Sequence, residues 1–193
     1  KHSETAFMTN RAMEFIEDSD EKPWFLHLSY IKPHWPYIAP APYHNMFSPN
    51  QFYPVHRSDA EKHINHPVYN AFMENSISKT FSRDEVRDTV LAGYMGLIKQ
   101  IDDNLGRLFK FLEDKKIMKD TMIVFTSDHG DYQGDHWLGE KELFHEQIVK
   151  VPMIIYDPTL SADNNRGVKE DRFIESIDLL PTFLDAVESK TSK

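Results

Sequence analysis

The sequence predicts an α/β fold, a mostly parallel sheet flanked by helices, of which these 193 residues supply part of one domain. Three observations lead there. Short β-rich runs stand at Trp24 to Tyr30, Met122 to Phe125 and Val151 to Tyr156, each too short for an ordinary helix. Between the first two lies one long apolar stripe: Val86, Val90, Tyr94, Leu97, Ile101, Leu105, Leu108 and Leu112 recur at steps of four and three. The order strand, helix, strand makes Trp24 to Thr126 a crossover unit, expected to be right-handed and to join parallel strands.

Residues 4 to 18 carry Ala6, Phe7, Met8, Ala12, Met13, Phe15 and Ile16 at amphipathic helical spacing, so a helix is expected, already under way at the first residues. The chain opens without Met, and we expect a piece of a longer protein. Trp24 to Tyr30 reads as the first strand, with His27 expected to be a hydrogen-bonded core residue. Prolines 33, 36, 40 and 42 then forbid helix and central strand, leaving a loop at a strand's carboxyl end. That loop carries His34. Ser48 to Thr80 is polar and irregular, and its His56, His63 and His66 lack a ligand frame, so surface positions are expected for them. Ser82 to Glu85 reads as a capping box opening the long helix, which should end near Asp114. A coiled coil would share its stripe, but a helix crossing a sheet leads directly into the strand from Thr121 to Thr126. Asp102 and Asp103 fall between stripe positions and read as a solvated face. A turn-rich segment follows Tyr156, then a helix built on Ile174 to Val187, and the terminal residues 188–193 are expected to fray.

The chemistry concentrates between Thr121 and Tyr156. A buried strand gives way to Ser127, Asp128, His129 and Gly130, placing a carboxylate beside an imidazole at the sheet edge where ligands of open α/β sheets bind. Gly130 is expected to supply a backbone angle that other residues resist. A bare Asp-His pair is also an ordinary turn. Here, however, Asp131, Asp135, His136 and Lys141 follow in a loop hinged by Gly134 and Gly139. Oxygen and imidazole donors without thiolate suit a divalent cation such as Ca, Mn, Mg or Zn. Lys141 suits an anionic substrate oxygen. Prolines on both sides of His34 would fix its ring as a general acid or oxyanion donor requires, although a plain Pro-rich surface loop fits the same residues.

The run SDHG after TMIVFT, then GDHWLGEK and VPMIIYDP, resembles the carboxyl-side half of the catalytic domain in the sulfatase and alkaline phosphatase superfamily. Within it the phosphonate monoester hydrolases and bacterial arylsulfatases are the most similar. The likeness extends from KHSETAF to IDLLPTFLDAV, and KPHWPY is similar to the family's proline-flanked histidine segment. It implies Asp128 and His129 as metal ligands, Lys141 on the sulfuryl or phosphoryl oxygens together with His136, and His34 as donor to the leaving oxygen. It also implies one divalent metal and a formylglycine nucleophile made from Cys or Ser in a Cys/Ser-x-Pro-x-Arg segment. No such segment occurs in the chain, so that nucleophile and further metal carboxylates are expected in an amino-terminal part outside it.

A net charge of −9 opposes nonspecific attraction to nucleic acid or an anionic membrane, and no run of about 18 apolar residues suggests a membrane helix. Zero cysteines remove disulfides and thiol catalysis from these residues and leave the compartment open, the cytoplasm being the default. The sequence therefore leads to a metal-dependent hydrolase of a small sulfate, phosphonate or phosphate ester, able to form a homo-oligomer. The other reading is a non-catalytic fragment or pseudoenzyme that keeps the fold and a weak metal site.

Overall fold

The computed structural model describes residues 2–187; the fraying expected of residues 188–193 lies outside them. Helix α1 spans Glu4–Asp18 and starts cleanly, since Ser3 caps it by accepting from the Ala6 amide at 3.3 Å. It lies along α4, Asp84–Asp114, the longest element. Ile16 meets Leu108 and Leu112, and Met13, Phe111, Ile117 and Ile123 close around them. The predicted stripe is thus the face that packs, but it also buries Arg87, Gln100 and Asn104. These are satisfied by carbonyls and side chains; the Asn104 amide, for example, donates to the Gln100 carbonyl at 2.7 Å.

Between α1 and α4 in sequence, residues 24–30 run extended. Trp24, Leu26 and Leu28 turn inward onto the α1–α4 core, while Phe25, His27 and Ser29 face out. The period-two pattern read from the sequence is present, yet this segment forms no ladder with another strand among the described residues. His27 is accordingly exposed and not a core residue. Among the described residues only β1, Ile123–Thr126, and β2, Met153–Tyr156, pair, and they pair antiparallel, with Ile123 opposite Tyr156 and Thr126 opposite Met153. The mostly parallel sheet is therefore not seen among the described residues. The connection explains the difference. A long irregular loop with one short helix, α5 at Glu146–Val149, folds back beside β1 instead of crossing over a sheet face.

The region expected to be irregular contains two short helices, α2 at Pro67–Met73 and α3 at Ser76–Phe81. Elements of seven and six residues are too short to show an apolar stripe, but their capping was readable. His66 precedes Pro67 at the first turn of α2, and the Asn75 side chain accepts from the Ser78 amide at 2.7 Å. Ser82 does not cap α4. Its hydroxyl donates back to the Ser78 carbonyl at 2.9 Å as the tail of α3, and Arg83 takes the cap position without a side-chain bond. The last helix, α6, covers Leu179–Ala186. Asp102 and Asp103 both pair with Lys99; Asp102 is exposed as a solvated face should be, whereas Asp103 is half-buried and also accepts from the Tyr43 hydroxyl at 2.9 Å, so it holds the segment at Tyr43 against α4. No helix among the described residues is long and apolar enough to cross a membrane.

A second core of Tyr69, Tyr132, Leu138 and Ile148, with Phe72, Met73 and Leu143 around it, joins α2, the loop after β1 and α5. It is the floor on which the chemistry-bearing loop rests.

Candidate active site

Strand β1 ends at Thr126, and Asp128 and His129 follow at once. Asp128 Oδ1 accepts from the His129 amide at 2.9 Å, leaving Oδ2 directed at His129 Nε2, 3.6 Å away. The other ring nitrogen, Nδ1, sits 2.7 Å from the Gly130 carbonyl. Only a protonated Nδ1 can donate to that oxygen, so the hydrogen bond selects the tautomer with its lone pair on Nε2. Metal-bound histidines are fixed in this way. Two donors 3.6 Å apart suit one cation held at roughly 2.0–2.4 Å from each. The pair therefore fits a shared metal.

Gly130 serves the site by close approach and not by an unusual backbone angle; the glycines with positive φ are Gly134 and Gly167. Its amide donates to the Ile148 carbonyl at 2.8 Å, and a Cβ there would stand 1.8 Å from the Gln147 carbonyl oxygen. Gly130→Ala is expected to push α5 away from the ligand loop, costing about 1–3 kcal/mol of stability. A melt of the variant against wild type checks it, and an unchanged midpoint would show that α5 moves freely.

His34 enters from the proline-rich loop. The Lys32–Pro33 and Trp35–Pro36 peptide bonds beside it are cis. Its Nδ1 lies 3.0 Å from the Trp35 carbonyl and its Nε2 lies 3.0 Å from Lys141 Nζ. The His34 and His129 rings stand 6.5 Å apart, edge to face. Three residues from separate stretches, His34, His129 and Lys141, thus converge, with Asp128 beside them. Asp128 is open to solvent, its side chain 84% exposed.

His136 lies differently. Its Nδ1 meets Glu61 Oε1 at 2.6 Å, its Nε2 meets Gln147 Oε1 at 3.1 Å, and its ring stacks on His145 at 4.1 Å. Among the described residues it makes no hydrogen bond or ring contact to His34, His129 or Lys141. Burial pushes the Glu61 carboxyl up, but the Ser58 amide and His136 outweigh it and hold it below the usual range. His145 is held below its ordinary value, first by burial and then by neighbouring His136. Four non-glycine residues in this loop, Gln133, His136, Trp137 and Glu140, take positive φ. Each costs roughly 1–2 kcal/mol, so the surroundings must hold them. They do: the His136 amide donates to the His56 carbonyl at 2.8 Å, and Trp137 Nε1 donates to the Ser58 carbonyl at 2.7 Å. Arg57 and Lys62 sit over the Trp137 ring at 4.0 and 3.6 Å. The segment around Ser58, expected to be polar and irregular, is thus clamped onto the site loop, while His56, His63 and His66 themselves are exposed as expected.

Asp131 is one of the acidic residues read in the loop, but its pairing with Tyr37 was not foreseen in the sequence. The Tyr37 hydroxyl donates to Asp131 Oδ2 at 2.6 Å, across 94 positions of sequence, and no local pattern announces such a pair. Burial raises the Asp131 carboxyl above its ordinary range, against the hydrogen bonds from Tyr37 and Gln133 and the nearby His34 charge. Burial and the adjoining carboxylate also raise the Tyr37 phenol.

Residues 1–189 match the family model described as Sulfatase. The chain belongs to the sulfatase family. Among relatives, 36% of positions are identical to the multifunctional alkaline phosphatase superfamily protein PehA of Trinickia caryophylli, over 99% of this chain and 39% of the relative. An arylsulfatase of Clostridium perfringens is 30% identical over 94% of this chain and 37% of its own length. Among solved structures, the phosphonate monoester hydrolase of Agrobacterium radiobacter superposes with a TM-score of 0.88 at 31% identity, over 96% of this chain and 39% of that one. The sulfatase-family chain thus spans about two fifths of the length of these relatives, and its fold is sulfatase-like and alkaline-phosphatase-like.

Proposed function

We propose that the intact protein is a hydrolase of sulfate, phosphonate or phosphate esters, with this chain supplying one wall of its active site. The observation that carries the reading is the convergence of His34 Nε2, Lys141 Nζ and the His129 ring beside Asp128. Asp128 Oδ2 and His129 Nε2 would hold one divalent cation, Ca, Mn, Mg or Zn. Bound there, the cation supplies electrophilic stabilisation of the group being transferred and of its nucleophile. Lys141, on a flexible stem, would bind the substrate's anionic oxygens and oppose the charge gathering on them. His34 Nδ1 donates to the Trp35 carbonyl, so in the neutral ring Nε2 accepts from Lys141 Nζ, and in the doubly protonated ring Nε2 is the nitrogen that would give its proton to the departing alkoxide or phenoxide. His136 would contribute from behind, holding with Glu61 the loop that leads to Lys141. The nucleophile, a formylglycine in the reading from resemblance, belongs to the part of the protein outside this chain. A non-catalytic role is not favoured, because the relatives are hydrolases by name.

The test uses the intact protein. Chelation should remove activity on aryl sulfates, phosphonate monoesters or phosphodiesters, and one of the four cations should restore it. Protonation matters most when the leaving group is poor. His34→Ala should therefore lose about a hundred- to ten-thousandfold on alkyl esters and far less on nitrophenyl esters. An equal loss across the series would make His34 a binding residue.

A further inference from the structure

We infer that the hydrogen bond between Tyr37 and Asp131 is a positioning tether that sets where His34 stands relative to the metal-ligand loop. The inference rests on the assignment of His34 as proton donor.

The His34 loop has ample internal bracing. Lys32 Nζ donates to the His34 and Pro36 carbonyls at 3.1 and 2.8 Å, and the His34 amide donates to the Ile31 carbonyl at 3.1 Å. These bonds give the loop a shape. None of them fixes the shape against the rest of the molecule. Tyr37, three residues beyond His34, does so in three ways. Its ring stands edge-on to Phe81 and to Tyr94, each at 6.1 Å. Its carbonyl presses against α4 at Gly93, where a Cβ would come within 2.8 Å of the oxygen. Its hydroxyl donates to Asp131 Oδ2 at 2.6 Å.

The last contact differs from the others in what it reaches. Asp131 sits two residues beyond His129, on the loop that carries both proposed ligands, and its other oxygen accepts from the Gln133 amide at 3.2 Å. Packing against α3 and α4 locates the proline-rich loop on the helices. Besides the His34–Lys141 contact further along that loop, the phenol joins it side chain to side chain to the ligand loop, two residues past His129. Proton donation to a leaving oxygen depends on the distance between these two loops, and a misplacement of about 1 Å costs on the order of a hundredfold. Tyr37 and Asp131 are therefore positioning residues that act through His34.

The experiment measures kcat and KM of the intact enzyme for esters of graded leaving-group acidity, in wild type, Tyr37→Phe, His34→Ala and the double variant. Tyr37→Phe keeps the ring and removes only the hydroxyl. Its kcat should fall about ten- to a hundredfold on alkyl esters and less than about threefold on nitrophenyl esters, with KM little changed. In the double variant the phenylalanine should add nothing to the loss from His34→Ala. Asp131→Ala removes the acceptor instead of the donor and should repeat the graded loss. Asp131→Asn keeps an acceptor oxygen and should lie closer to wild type. These two carry the test if Tyr37→Phe melts below the assay temperature. A uniform loss across the esters, or a loss that adds to that of His34→Ala, overturns the tether while leaving His34 in place. If His34→Ala itself shows a uniform loss, the assignment of the proton donor fails, and the tether fails with it.

Discussion

Asp128→Ala in the intact protein is expected to lose its bound metal and at least about a thousandfold in turnover while keeping its fold. The three parts of that result have separate causes. Metal would be lost because Asp128 Oδ2 and His129 Nε2 are the proposed donor pair, and an imidazole alone holds a hard cation poorly. Turnover would fall because a cation held by this pair would oppose charge developing on the transferred group, and removing even one such contact typically costs about a hundred- to a thousandfold. The fold survives because the side chain is 84% exposed and its only structural duty is to accept from the His129 and Ser127 donors beside it. Surface changes of that kind stay within about 0.5 kcal/mol. Metal analysis, kinetics and a melt on one preparation separate these effects. Unchanged metal stoichiometry would show that Asp128 is not a ligand.

What the sequence disclosed of this site depended on how local each signal was. Asp128 and His129 could be proposed because strand, carboxylate and imidazole adjoin in one run, and His34 because prolines flank it. Lys141 could be proposed from its charge within the same loop and from the resemblance. The long-range contacts that brace the surrounding loop were not foreseen. Glu61 reaches His136 across 75 positions and Tyr37 reaches Asp131 across 94, and a pattern of neighbours carries no trace of either. The same limit governed the fold. Helices α1 and α4 announce themselves by period, whereas the direction of β2 is decided by how the intervening loop packs on Tyr69, Tyr132 and Ile148. The alternation in residues 24–30 revealed which side chains face the core, but alternation alone does not say which strand lies alongside.

The 193 residues expressed by themselves are expected to hydrolyse no sulfate or phosphonate ester at a rate attributable to this site. Hydrolysis of this kind needs a nucleophile and enough donors to hold the cation firmly. The chain has no Cys, and no serine stands in a Ser-x-Pro-x-Arg frame. Among the described residues no group of three or more His, Cys, Asp and Glu is arranged to hold a metal. Asp128 and His129 are two donors, where Ca takes about six to eight oxygens and Zn usually at least three protein ligands. The apolar surface argues in the same direction. Phe25, Ile154, Phe173 and Leu180 are more than half exposed, and β1 and β2 form a sheet with both outer edges unpaired among the described residues. Such edges invite association with other chains, so the isolated polypeptide should also self-associate, which sedimentation will register. The assay loads it with Mn, Ca or Zn and offers aryl sulfates, phosphonate monoesters and phosphodiesters beside a His34→Ala, Asp128→Ala control. Metal-dependent turnover that the control abolishes would place a nucleophile, such as an activated water, within these residues and replace the mechanism argued from the family.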